Sequence, residues 1–90
     1  MINKRALVCG SSKGIGAAAA IELSKSGASV ILLARNEELL MDVMKQLDTT
    51  HNQKHSYLIA DFDKPLQLKD KLISENYINS KKPIHILINN

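Results

Sequence analysis

Three of the chain's four glycines, Gly10, Gly14 and Gly16, stand in one short segment, Gly10-Ser11-Ser12-Lys13-Gly14-Ile15-Gly16. Gly10 and Gly14 would let the backbone turn tightly and approach a ligand closely, while Gly16 would let a following helix pack against its support. A helix starting there would present unpaired N–H groups and a positive dipole end, which favour an anion such as a pyrophosphate. A purely structural tight turn also uses glycine, so context must choose between the two readings. The Gly-Lys-Ser/Thr ending of a triphosphate-binding loop is absent, which disfavours nucleoside triphosphate hydrolysis.

A second group of candidates is cationic. In Leu33-Ala34-Arg35-Asn36 an arginine occupies the place where an acidic residue would accept hydrogen bonds from the adenosine ribose hydroxyls of NAD. Arg35 can instead grip a 2′-phosphate through a charge-assisted fork, and Lys13 in the glycine segment could approach the same phosphate from the other side. Taken alone, Arg35 reads more readily as a solvated residue ahead of a helix. Two cations converging on one corner favour NADP(H) over NAD(H). Glu37 and Glu38 do not conflict, because acids suit a first helical turn. His51, His55 and His85 have no Cys-x-x-Cys partner, so no metal site is expected, and the single cysteine, Cys9, cannot form an internal disulfide.

These residues need elements to hold them. Arg5 to Cys9 is a short apolar run ending at the glycine segment, a strand followed by a loop. From Ile15 to Ser26, Ile15, Ala19 and Leu23 recur at four-residue spacing with Gly16 and Ala20 beside them, a helix with a small-residue, close-packing face, and Gly27 is placed for a left-handed C-terminal cap. Ala28 to Ala34 contains Val30-Ile31-Leu32-Leu33, apolar on both faces as in a buried parallel strand. Asn36 caps a second helix with a stripe of Leu39, Leu40, Val43, Met44 and Leu47. Ser56 to Ala60 is a third strand, Pro65 opens a third helix, and Ile84 to Ile88 is a fourth strand. Four strands and three helices in strict alternation require parallel pairing with right-handed crossovers. The expected architecture is α/β, a Rossmann-like doubly wound parallel sheet in the order 3-2-1-4, with a ligand crevice at the switch point after strands 1 and 4.

At 90 residues there is room for one domain, spanning 1–90, below the usual size of a free-standing enzyme domain. Twelve Lys and Arg against nine Asp and Glu give a net charge of +3, but the basic residues are scattered and the aromatics are only Tyr57, Phe62 and Tyr77, which argues against nucleic-acid binding. No apolar run approaches the length that spans a bilayer, so cytoplasmic residence without membrane association is the expectation.

The pattern Gly10-x-x-x-Gly14-x-Gly16, then Asp61 directly after strand 3, then Ile88-Asn89-Asn90 closing strand 4, resembles the N-terminal half of a short-chain dehydrogenase/reductase over the whole chain. Gly-Ser-Ser-Lys-Gly-Ile-Gly and Ala-Arg-Asn-Glu-Glu look most similar to the 3-oxoacyl-carrier-protein-reductase-like members. The resemblance implies a dinucleotide site drawn from Gly10, Ser12, Lys13, Gly14, Ile15, Gly16, Arg35, Asn36, Asp61, Phe62, Asn89 and Asn90. Within it Asp61 and the Phe62 backbone would hold the adenine, and Asn89 and Asn90 would begin an Asn-Asn-Ala-Gly motif bordering the adenosine. Three departures are visible: Cys9 stands where threonine is usual, His85, read as structural, where aspartate is common, and the Asn-Asn-Ala-Gly motif stops after its second residue.

Such enzymes transfer hydride between nicotinamide and a carbonyl or alcohol substrate, using a serine, a tyrosine and a lysine that follow strand 4. No catalytic residue is therefore assigned in this chain. Tyr77 and Lys81 have the Tyr-x-x-x-Lys spacing, but a helix after strand 3 descends away from the crevice, which puts them about 15–20 Å from it. The expectation is a cofactor-binding part of a longer, homo-oligomeric oxidoreductase, truncated after strand 4, inactive alone, and carrying an apolar sheet edge. The alternative is a non-catalytic dinucleotide-binding module or a truncated product without activity.

Overall fold

The computed structural model of the chain describes residues 3–10, 14–59 and 84–89. Four strands and two helices lie within them: β1 (Arg5–Cys9), α1 (Gly14–Lys25), β2 (Ser29–Ala34), α2 (Glu37–Met44), β3 (Ser56–Ile59) and β4 (Ile86–Asn89). The strands form one parallel sheet in the order β3-β2-β1-β4, as the alternating pattern requires. The third helix expected from Pro65 lies outside the described residues.

Register follows from the apolar run of β2, which is buried on both faces. Val8, Val30, Leu32 and Ala34 point to the side on which α1 and α2 pack, where they meet Ala20, Leu40, Val43 and Leu47. Leu7, Cys9, Ile31, Leu33 and Leu58 form a second buried cluster on the opposite side. At the β4 edge Leu87 is 62% exposed.

The helices begin and end where local chemistry directs. Asn36 is extended (φ −103°, ψ 108°) and its side-chain oxygen accepts the Leu39 N–H at 3.1 Å, closing one open amide of α2. Past the end of α1, Gly27 adopts φ 99°. Its N–H returns to the Ser24 carbonyl at 3.0 Å and the Ala28 N–H to the Leu23 carbonyl at 3.1 Å, a Schellman closure.

The small-residue packing face expected for α1 is present, centred on Gly16 and Ala20 rather than on Ile15, Ala19 and Leu23. The buried residues are Gly16, Ala20 and Ser24, one position further on, while Ile15 is 76% exposed. A helix lying close on a sheet needs its smallest residues beneath its axis, and residues four apart share a face. The row Gly16, Ala20, Ser24 meets that need, and the larger Ala17, Ile21 and Leu23 flank it, packed against the core.

Ser24 is fully buried but not unsatisfied. Its hydroxyl donates to the Ile21 carbonyl at 2.7 Å and accepts the Asp48 N–H at 2.9 Å, tying the end of α1 to the connection after α2. Gln53 completes the tie by donating through Nε2 to the Ser24 carbonyl at 2.6 Å.

Candidate functional site

The C-terminal ends of β1, β2 and β4 meet at one edge of the sheet, since Cys9 pairs with Leu33 on one side and with Asn89 on the other. Gly10 leaves β1 with φ 69°, yet its N–H still reaches the Leu33 carbonyl at 2.8 Å, so the turn begins while the chain is tied to β2.

Gly14 opens α1 with φ 65°, in the left-handed region that a side chain strains. A Cβ built on it would meet no heavy atom within 4 Å, so the glycine is set by backbone conformation and faces open space. Beside it the Ile15 side chain is exposed and Gly16 is buried against the sheet. The first-turn amides of an α-helix have no acceptor inside the helix. Gly14, Ile15 and Gly16 supply these amides in α1, at the end of the helix that suits an anion.

Arg35 follows β2 directly at the same edge. Its side chain is exposed, and no ion pair among the described residues engages it. Asn36 uses its side-chain oxygen as the α2 cap, so the Nδ2 amino group, a donor, is what it can offer a ligand. Glu37 is engaged as well: its Oε2 accepts the Tyr57 hydroxyl at 3.3 Å. That contact between β3 and the first turn of α2 was not foreseen from sequence, since it joins residues 20 apart that only the strand pairing brings together.

Of the twelve residues named from sequence, Gly10, Gly14, Ile15, Gly16, Arg35, Asn36 and, by its strand pairing, Asn89 are placed at this edge. Ser12, Lys13, Asp61, Phe62 and Asn90 lie outside the described residues, as do Tyr77 and Lys81. Cys9 ends β1 beneath the turn, where burial raises its thiol above the ordinary value and keeps it neutral near pH 7. Among the described residues no cluster of His, Cys, Asp and Glu could hold a metal ion, and no helix is long and apolar enough to cross a membrane.

Known proteins share this geometry. The chain is 40% identical over 94 residues to an uncharacterized oxidoreductase of Schizosaccharomyces pombe, covering all of this chain and 26% of that protein. It superimposes on the L-sorbose reductase of Gluconobacter frateurii, solved with NADPH and L-sorbose, with a TM-score of 0.82 at 29% identity, covering 100% of this chain and 34% of that one. A short-chain dehydrogenase of Shigella flexneri complexed with NADP gives 0.75 at 29% identity, over 100% of this chain and 38% of that one. The chain thus spans about a quarter of the curated relative and little more than a third of the solved ones. The family model for short chain dehydrogenases matches residues 4–90, which takes in the glycine turn, the strand order and the closing asparagines, and the chain belongs to that family.

Proposed function

We propose that residues 1–90 are the NADP(H)-binding part of a short-chain oxidoreductase that moves hydride between the nicotinamide and a carbonyl or alcohol substrate. The observation that carries this reading is the left-handed, unobstructed Gly14 at the head of α1, beside the exposed Arg35. Gly10, Ser12, Lys13, Gly14, Ile15 and Gly16 would hold the pyrophosphate through the turn and the first-turn amides. Arg35, with Lys13 and the Asn36 amino group, would bind the 2′-phosphate, and Asp61, Phe62, Asn89 and Asn90 would border the adenosine. The similarity to an enzyme solved with NADPH and to another solved with NADP supports the phosphorylated coenzyme.

The coenzyme supplies the hydride chemistry; the residues of this chain bind and orient it. The serine, tyrosine and lysine that act on the substrate are assigned to the part of the relatives that this chain does not span, so residues 1–90 bind nucleotide without turning substrate over. The glycine and Ala-Arg-Asn-Glu-Glu segments resemble those of 3-oxoacyl-carrier-protein-reductase-like members, and the compartment we assign is the cytoplasm, where a lone thiol such as Cys9 stays reduced.

Titration with NADPH and NADH, followed by nucleotide fluorescence, tests this. NADPH binds more tightly, and Arg35→Ala weakens NADPH by about tenfold, the order of one charge-assisted hydrogen bond at an exposed site, while leaving NADH nearly unchanged. Equal loss for both nucleotides, or no binding by the folded chain, would overturn the proposal.

A further inference from the structure

The edge of the sheet opposite the glycine turn carries two histidines in equivalent positions. His55 immediately precedes β3 and His85 immediately precedes β4. The first paired residues are Ser56 with Ile31 and Ile86 with Ala6, and in each case the residue just before the pair makes the contact. His55 Nδ1 accepts the Val30 N–H at 3.0 Å, and His85 Nδ1 accepts the Arg5 N–H at 3.1 Å. An imidazole nitrogen thus takes the place of a ladder carbonyl at the start of each inner strand.

We propose that His55 and His85 are a matched pair of proton-sensitive latches fastening the outer strands, β3 and β4, to the inner pair. A ring nitrogen accepts a hydrogen bond only through its lone pair, so both contacts require neutral imidazole. At His55 the tautomer is fixed too: Nε2 faces the Asp48 carbonyl at 2.7 Å and must donate to it. Protonating Nδ1 sets one N–H against another. At Val30, which is completely buried, the amide then has no water to turn to.

Among the described residues, the charged and titratable groups around the His55 ring are Asp48 and His51 in its own connection, Lys54 beside it, and Lys4, whose carbonyl accepts the Ser29 N–H at 2.9 Å. Lys25, at the nearby end of α1, is paired with Glu22 at 3.6 Å. Next to His85 stand Arg5 and Lys4. The Asp48 carboxylate is held by the Thr50 amide at 2.8 Å. Acidification therefore releases the strand starts, and the effect is independent of whatever binds at the opposite edge.

The test follows amide exchange and imidazole nitrogen resonances of the full chain. At about pH 7.5 the His55 ring shows the Nε2–H neutral form, and on lowering the pH to about 5.5 the protection of the Val30 and Arg5 amides falls at least about fivefold relative to Val8 in mid-strand. In the His55→Asn, His85→Asn double variant the side-chain oxygen takes the Nδ1 position without titrating, so protection no longer responds to pH. His51→Gln, on the exposed part of the same connection, leaves the response intact. A protonated or Nδ1–H ring at neutral pH, unaltered protection on acidification, or the same acid response in the double variant would overturn the proposal. Should the double variant fail to fold, the ring tautomer and the protection of the unsubstituted chain decide the matter.

Discussion

Replacing Gly14 by alanine separates the two roles of the glycine turn. A methyl group there meets nothing within 4 Å, so no clash enters. What remains is the backbone at φ 65°, where an L-residue is worse than glycine by about 1–2 kcal/mol. Alanine recovers about 0.4–1 kcal/mol by narrowing the unfolded ensemble, which leaves a net loss of about 1 kcal/mol. For a domain of this size that is a fall in melting temperature of about 4–8 °C. Nucleotide binding responds more strongly. Alanine relieves its strain by rotating φ to negative values, which turns the Gly14 and Ile15 amides away from the open space, and each charge-assisted bond lost is about 1.5–3 kcal/mol. Thermal unfolding read beside NADPH titration should therefore show a modest loss of stability and a loss of affinity of about tenfold or more. Gly14→Asn should be milder on both counts, since asparagine tolerates left-handed backbone better than alanine does. A stability loss above about 3 kcal/mol, beyond any φ penalty, would mean that the space is not open, and a stability gain would mean that the left-handed turn does not exist in solution. Unchanged NADPH affinity would refute the role given to the amides.

The other expected outcomes concern buried groups. Ser24→Ala strips the Asp48 N–H of its acceptor and should lower stability by about 1–2 kcal/mol in urea unfolding, whereas a neutral result would show that the tie between α1 and the 48–55 connection does not form. Cys9 should react with a thiol reagent only as fast as the chain opens. Because burial raises its titration, the folded chain binds the thiol proton more firmly than the unfolded chain does, so stability should decline as pH rises past the ordinary thiol range; rapid labelling of folded chain at neutral pH would contradict both.

What the sequence disclosed and what it withheld divide along a physical line. The α2 cap at Asn36, the left-handed Gly27 and the doubly buried run of β2 are local or periodic, and each is present in the structure. Strand order followed from alternation, because the crossover rules leave few topologies. The small-residue packing face of α1 was legible at Gly16 and Ala20, whereas the burial of Ser24 and the exposure of Ile15 depend on how the helix is rotated on the sheet. The left-handed backbone at Gly10 and Gly14 was legible because glycine announces such use by type. Tyr57 with Glu37, and His55 with Val30, were not, for their partners lie 20 and 25 residues away and meet only once the sheet exists.

Among the described residues, the two edges of the sheet are furnished differently. A parallel sheet leaves unpaired backbone groups at both ends of its inner strands, and burial would make each of them destabilising. At the end where the strands start, the chain closes these groups with its own side chains: His55 takes the Val30 amide, His85 the Arg5 amide, Ser29 Oγ the Lys54 amide, and Gln53 reaches the carbonyls of Ser24 and Ala28. At the end where the strands finish, Gly10 follows β1 and Gly14 opens α1, both with left-handed backbone. If the reading proposed for the glycine turn holds, an anionic ligand accepting from the first-turn amides of α1 stabilises the folded chain at that edge, as the side chains do at the other.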